Sequence, residues 1–293
     1  MRVIDIINLK GGVAKTISAI NIVHVLAAVH HQRVLMIDND KQGNTTKFWG
    51  LHSYDRPGIA ELLTQPGLDV RRVIRPTGIA GIDLIPANMS LLSANSSLLI
   101  NMSRGRDYRL RRALDPVRDA YDFCVIDNAP DINVGVINAL MAADDVLVPV
   151  KIDQFAFDGL AELIEQVDEI RESNPSLRFA GCFFTMYQRN KANQRGDDWL
   201  HDAGRYPIFK ARIRSTVKVT ETTYEGKPLL VHAPRSTAAQ DYVSLVAEYL
   251  AQRKEGADGK VQCPGDDGPE GIQHRNSGQA AHCGADRGGD QFL

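Results

Sequence analysis

Residues 8–18 read NLKGGVAKTIS, and the fold turns on how that stretch is read. A phosphate-binding loop written G-x-x-x-x-G-K-[ST] carries one glycine immediately before its lysine and another at the start of the pattern. Here those positions hold Ala14 and Leu9, and a second lysine, Lys10, stands before the pair Gly11 and Gly12. The stretch still follows an apolar run and precedes a helical periodicity, the setting that a phosphate loop requires. Gly11 and Gly12 let the backbone approach phosphate oxygens. Lys15 is placed to reach β- and γ-phosphates, and the Thr16 hydroxyl to ligate Mg²⁺. Backbone N–H groups from Lys10 to Ile17, Val13 and Ala14 among them, add the positive partial charge of a helix N-terminus.

Two segments downstream supply acids. IDNDKQGNTT, residues 37–46, brings Asp38 and Asp40 to the carboxyl end of a second apolar run, and YDFCVIDNAPD, residues 121–131, ends another run at Asp127. Asp127 stands where an acid would hold Mg²⁺ through water. One aspartate in such a place is ordinarily a turn or cap residue. Three of them at strand ends after a phosphate loop point to a metal–phosphate site.

Short, nearly continuous apolar runs occur at Val3–Asn8, Val34–Asp38, Ile82–Pro86, Phe123–Asp127, Val146–Val150 and Phe179–Thr185. Runs of this kind suit parallel strands covered on both faces. Between them lie amphipathic stretches at Thr16–Ala28, Tyr108–Ala120, Val134–Ala142, Gly159–Glu172 and Thr237–Gln252. Alternating strand and helix predict an α/β fold: one doubly wound, mostly parallel sheet with helices on both faces. Ligands in such sheets bind beyond the carboxyl ends of the strands. From Lys254 the text turns rich in Gly, Asp and Gln, without the apolar residues needed to offset the entropy of ordering. The expected organisation is a domain over residues 1–253 and a disordered tail over 254–293.

The 293 residues carry a formal net charge of -2 and 43% hydrophobic residues, so no global charge drives the chain to nucleic acid or membrane. The start, MRVIDIIN, has no basic region leading into a long apolar one, and a cytoplasmic location is expected. Cys124 and Cys182 lie within apolar runs and read as small buried hydrophobes. Cys263 and Cys283, with His274 and His282, match no zinc spacing.

The order K-G-G-x-x-K-[ST], D-x-D-x-Q-G-N-x-T, Y-D-x-x-x-I-D-x-x-P, an I-N-A-L helix and an A-D-x-V-L-V-P-V strand resembles the ParA/Soj partition ATPases, the deviant class of P-loop NTPases. The likeness continues through FTMYQRN and VTETTYEGKPLLVHAPRSTAAQDY and covers residues 1–252. It implies an ATP- and Mg²⁺-dependent ATPase that closes face to face as a homodimer. Lys10 would then reach the phosphates bound by a second copy. By the same resemblance Lys15 and Thr16 hold phosphate and metal, Asp40 helps position the attacking water and Asp127 supports the metal; Asp38, at the end of its strand, is a further metal candidate. Hydrolysis is expected to be slow and partner-stimulated, the partner being a ParB-like centromere-binding protein.

Departures from that pattern are Ala14, Ile17 in place of a second hydroxyl residue, and Lys41 in place of proline. The family tolerates the first. The second removes one side-chain hydrogen bond to phosphate, and the third leaves the following loop less restricted in φ.

From Arg189 to Lys218 eight basic residues, namely Arg189, Lys191, Arg195, Arg205, Lys210, Arg212, Arg214 and Lys218, face three acids, Asp197, Asp198 and Asp202, a local +5. The resemblance implies nonspecific double-stranded DNA binding here, with Arg189, Lys191, Arg195, Arg212, Arg214 and Lys218 as candidates, and nucleoid association in the ATP state. Two alternatives belong to the same superfamily. A MinD-like positioning ATPase would end in a basic amphipathic helix that binds membrane, whereas this C-terminus is acidic and glycine-rich, so no membrane partner is expected. The other is a small-molecule enzyme, such as a ligase or an iron-sulfur reductase, and the reductase would need an exposed cysteine pair at the dimer face. With no residues ahead of the first strand, operator-specific repression through an N-terminal domain is not expected either.

Overall fold

The computed structural model describes residues 1–101, 105–153, 156–202, 204 and 206–258. In chain order the elements are β1 (Arg2–Ile6), α1 (Lys15–Ala28), β2 (Val34–Asn39), α2 (Asn44–Phe48), α3 (Ile59–Thr64), β3 (Arg75–Pro76), β4 (Ile82–Ile85), α4 (Ser90–Ile100) and α5 (Arg109–Leu114). There follow β5 (Phe123–Asn128), α6 (Val134–Ala142), β6 (Asp145–Lys151), α7 (Ala156–Ser173), β7 (Arg178–Tyr187), α8 (Lys191–Asp202), β8 (Ile208–Arg214), α9 (Val217–Glu225), α10 (Leu229–His232) and α11 (Thr237–Asp258). One eight-stranded sheet runs in the order β3-β4-β2-β5-β1-β6-β7-β8. Every pairing is parallel except β3 with β4.

The apolar runs are strands because both faces of the sheet are covered. Along β1, Ile4 and Ile6 join the core under α1 and α11, while Val3 and Ile7 join the core on the other side. The same alternation sends Val34 and Met36 to the first face and Leu35 and Ile37 to the second. Helix α1 contributes Ala19, Val23 and Leu26, and α11 contributes Tyr242, Leu245 and Tyr249, all buried. A buried Leu such as Leu26 is worth about 2–5 kcal/mol against Ala.

The expected helix Tyr108–Ala120 is interrupted. Only Arg109–Leu114 is α-helical, and 3₁₀ turns lie at Arg106–Tyr108 and Asp115–Val117. Pro116, lacking an N–H and clashing with the preceding turn, ends the α-helical stretch. Strand β8, IFKARIR, was not among the apolar runs because Lys210, Arg212 and Arg214 punctuate it; edge strands tolerate such charges. Helix α11 continues to Asp258, five residues past the expected boundary at Arg253. The remainder of the expected tail, with Cys263, Cys283, His274 and His282, lies outside the described residues.

At the end of the sheet remote from the phosphate loop, Asp145 opens β6 fully buried. Arg2 Nε donates to it at 2.8 Å, Arg178 Nε at 2.7 Å and the Tyr249 hydroxyl at 2.7 Å. This cluster ties β1, β7 and α11 to one carboxylate. Among the described residues no helix is long and apolar enough to cross a membrane.

Candidate functional site

The loop from Ile7 to Ala14 turns at the carboxyl end of β1 and delivers the chain into α1. Gly12 has φ +72° and Ala14 has φ +64°, ψ 31°, so two left-handed residues make the turn. Ala14 is the N-cap residue of α1, and its side chain offers no cap. The first N–H groups of α1 are thus left for an anion. Nothing lies within 4 Å of where a Cβ would stand on Gly11 or Gly12, and both are exposed. The loop is open on its outer side.

Lys15 occupies the inner side. Its ammonium donates to the carbonyl oxygens of Asn8 and Lys10, each at 2.9 Å, so the loop is wrapped round the lysine. Burial lowers its pKa, and the charges of Asp127, Asp40 and Asp131 oppose that shift. Lys10 behaves differently: its ammonium pairs with Asp153, just beyond β6. The loop therefore holds one lysine within and one at its rim.

The expected acids converge. Asp38 and Asp127 are direct neighbours in the register of β2 and β5, on the face toward α1. The Thr46 backbone N–H and hydroxyl donate to Asp38 Oδ2 at 2.8 and 2.6 Å. The Thr45 hydroxyl donates to Asp127 Oδ2 at 2.7 Å, and Thr16 stands near enough to the same carboxyl to lower its pKa. Burial, reinforced by Asp127, pushes the Asp38 carboxyl up to about 7. Burial likewise pushes Asp127 up to about 6, against the hydrogen bond from Thr45 and the influence of nearby Thr16. Asp40 is half-buried; Gln42 N donates to its Oδ1 at 2.9 Å, and its charge acts on both Lys15 and Asp127.

Asp127 Oδ1 is buried and has no hydrogen-bond partner among the described residues. A cation-bound water would satisfy it, and two carboxyls raised by burial would ionise beside a divalent cation. With Thr16 near the same carboxylate, the residues present fit Mg²⁺ at a phosphate loop. Beside Thr16 and Ile17 opens a cleft of about 510 Å³, lined also by Asn44, Lys47, Phe48 and Tyr224. That volume lies within the ordinary range of ligand pockets.

Several site residues escaped the sequence reading. Asn8 shapes the loop: its Nδ2 donates to Pro149 O at 2.8 Å and its Oδ1 accepts from Lys10 N at 2.8 Å. The Thr185 hydroxyl donates to Val13 O at 3.0 Å and anchors the loop to β7. Asp131 and Asp153 were also missed. Cys124 and Cys182 are buried as expected, and burial pushes both thiols up.

The basic stretch divides in two. Arg189, Lys191 and Arg195 are exposed and enter no ion pair among the described residues. Arg212 is paired with Asp197 through Nε and Nη2 at 2.6 and 2.7 Å, 5.7 Å from the ring centre of Phe184. Arg214 pairs with Asp241 at 2.6 Å and Lys218 with Glu221 at 2.8 Å. The local count of +5 therefore overstates the available charge. Asp241 and Glu221 lie beyond the counted window, and folding brings them back to it. Arg205 falls outside the described residues.

A family model described as an AAA domain matches residues 1–179. The sporulation initiation inhibitor protein Soj of Bacillus subtilis is 33% identical over 254 residues, covering 85% of this chain and 98% of Soj. The chromosome partitioning protein ParA of Caulobacter vibrioides is 34% identical, covering 87% of this chain and 96% of that protein. Among solved structures, cobyrinic acid a,c-diamide synthase from Mycobacterium smegmatis, with bound ATP analogue and magnesium, superposes with a TM-score of 0.75. It is 29% identical, and the match covers 87% of this chain and 97% of the other. With a third of its residues identical over nearly the whole length of Soj and ParA, the chain belongs to the ParA/Soj family of P-loop NTPases.

Proposed function

We propose that this chain is a nucleotide-switched partition ATPase. It binds ATP with Mg²⁺, closes into a homodimer and holds double-stranded DNA without sequence preference. Slow hydrolysis, stimulated by a ParB-like centromere-binding protein, resets it. Working in the cytoplasm on the nucleoid, it segregates or positions a plasmid, a chromosome region or a mobile element.

The carrying observation is the separate placement of two lysines, Lys15 inside the loop and Lys10 at its rim. One lysine is enough for one nucleotide. A second, held at the rim by a partly exposed pair, is suited to a nucleotide bound by a second copy. Lys15, the N–H groups of α1 and Thr16 bind phosphate; Asp38 and Asp127 support the metal; Asp40 orients the attacking water. Mg²⁺, when bound, neutralises charge on the β- and γ-phosphate oxygens. The exposed Arg189, Lys191 and Arg195 neutralise DNA phosphates, and two sets on one dimer face raise affinity by roughly 10²-fold or more through effective concentration.

A second reading is a small-molecule enzyme, which the likeness to the diamide synthase favours. Filter binding of random-sequence duplex DNA with ATP, ADP or no nucleotide separates the two. The partition reading expects ATP-dependent binding that weakens steeply with salt; absence of DNA binding in every nucleotide state favours the small-molecule enzyme.

A further inference from the structure

Strands β1, β2 and β5 each carry one polar side chain on the face opposite to Asp38 and Asp127. Asp5 is 0% exposed, and Asn39 and Asn128 are 2% exposed. They form a row across three neighbouring strands. Asn128 Nδ2 donates to Asp5 Oδ1, and Asn128 Oδ1 accepts from Asn39 Nδ2 at 2.7 Å. Around them the same face is apolar, with Val3 and Ile7 on β1, Leu35 and Ile37 on β2, and Cys124 and Ile126 on β5.

Such a row is costly to bury, and two of its atoms, Asp5 Oδ2 and Asn39 Oδ1, have no partner among the described residues. It ends under the first turn of α6. A Cβ on Gly135 would lie 3.2 Å from Asn39 Oδ1, 2.9 Å from Asn95 Oδ1 and 3.0 Å from Asn133 Oδ1. Asn95 Oδ1 accepts from Gly135 N at 2.9 Å, and Asn133 Oδ1 from Val136 N at 3.1 Å. A larger residue at 135 would press on all three side-chain oxygens, Asn39 of the row among them.

Each member adjoins a loop of the phosphate site. Asp5 lies in the strand that feeds the Lys10–Lys15 loop, Asn39 directly precedes Asp40, and Asn128 directly follows Asp127. We infer that the Asp5–Asn128–Asn39 row is a positioning device, which fixes the Asp40 loop and the start of α6 relative to the phosphate loop. Turnover then depends on side chains on the sheet face away from the phosphate site. This inference rests on the ATPase reading above.

The test compares Asp5→Ala, Asn39→Ala, Asn128→Ala and Asp5→Asn in the full chain. Asn128→Ala should lower kcat by roughly 10- to 100-fold, the scale of a small misplacement of reacting groups, while ATP affinity stays within about threefold. Asp5→Asn keeps an oxygen for Asn128 Nδ2 and should retain kcat within about threefold, whereas Asp5→Ala should not. Effects of Asp5→Ala and Asn39→Ala on kcat should be non-additive, although the two residues are joined only through Asn128. Amide exchange, which needs no hydrolysis, should quicken at residues 40–43 and 129–136 together in Asp5→Ala. Unchanged kcat with only a lower Tm, or exchange confined to β1, would overturn the inference. A wild-type chain that fails to hydrolyse ATP would overturn the ATPase reading instead, and the exchange result would then decide the row.

Discussion

Lys10, in the loop after β1, forms an ion pair with Asp153, in the segment after β6, and both side chains are about one-third exposed, at 34% and 33%. A pair so exposed contributes about 0–1 kcal/mol. It parks the lysine without locking it. Asp153→Ala should therefore leave Tm nearly unchanged and raise the association constant of the ATP-bound dimer by up to about fivefold for each of the two pairs broken, the equilibrium value of 1 kcal/mol. Sedimentation of the variant across a concentration series measures this. A large fall in Tm would make Asp153 a structural residue.

Lys10→Ala and Lys15→Ala should separate. Lys15 is buried inside the loop it organises, so its loss should abolish ATP binding; Lys10→Ala should leave monomer binding within a few-fold and remove dimerisation. Titration with a fluorescent ATP analogue reads both. Equal loss of affinity in the two variants would refute the division.

Ala14 is in the left-handed region, where a Cβ costs roughly 1–2 kcal/mol, partly offset by the greater unfolded-state freedom of glycine. Ala14→Gly should raise stability by about 0.5–1 kcal/mol, or roughly 2 °C in Tm. Ala14→Val, β-branched at the same φ, should lower it by about 1–3 kcal/mol. Calorimetry of both variants checks the sign. The sequence exposed this position as an anomaly; the φ value explains what the anomaly costs.

Asp5 is pushed up to about 8, chiefly by burial, with the charge of Asp127 adding to the shift and the hydrogen bond from Asn128 opposing it. Between the ordinary value of 3.8 and about 8 the folded chain holds a proton that the unfolded chain has released. Stability therefore falls as pH rises through that window. Asp5→Asn, neutral throughout, should flatten that part of the Tm-versus-pH curve and be the more stable protein at pH above 8. Parallel curves for wild type and variant would contradict the assignment.

On the basic surface the ion pairs predict two kinds of variant. Arg189→Ala, Lys191→Ala and Arg195→Ala should weaken DNA binding on every sequence, leave Tm unchanged and flatten the salt slope by about one unit for each DNA phosphate that is no longer neutralised. Arg212→Ala should lower Tm instead, because it removes the guanidinium from Asp197, of which only 8% is exposed, and leaves His201 as the neighbouring partner. Gel shifts at two salt concentrations, paired with melting curves, check both.

What could be read from the sequence was local. The phosphate loop, Asp38, Asp40, Asp127 and the buried strands declare themselves by residue type at fixed spacing, and the sheet follows from their alternation with helices. Asp153 could not be found that way, since it stands 143 residues from Lys10 and only the pairing of β1 with β6 brings them together. Asp5, Asn39 and Asn128 escaped for another reason: Asp5 interrupts one apolar run and the two asparagines stand just past the ends of two others, so each reads as a blemish until the sheet brings all three together. The paired arginines were overcounted because Asp241 returns to β8 only when α11 packs there.

The central claim is that ATP closes two copies through Lys10. Analytical ultracentrifugation of the full chain with Mg²⁺ and ATP, against Mg²⁺ and ADP, tests it most directly. The expected result is a dimer with ATP, a monomer with ADP and a monomer with both for Lys10→Ala. A wild-type chain that binds ATP and remains a monomer, or a Lys10→Ala chain that dimerises as wild type does, would contradict it.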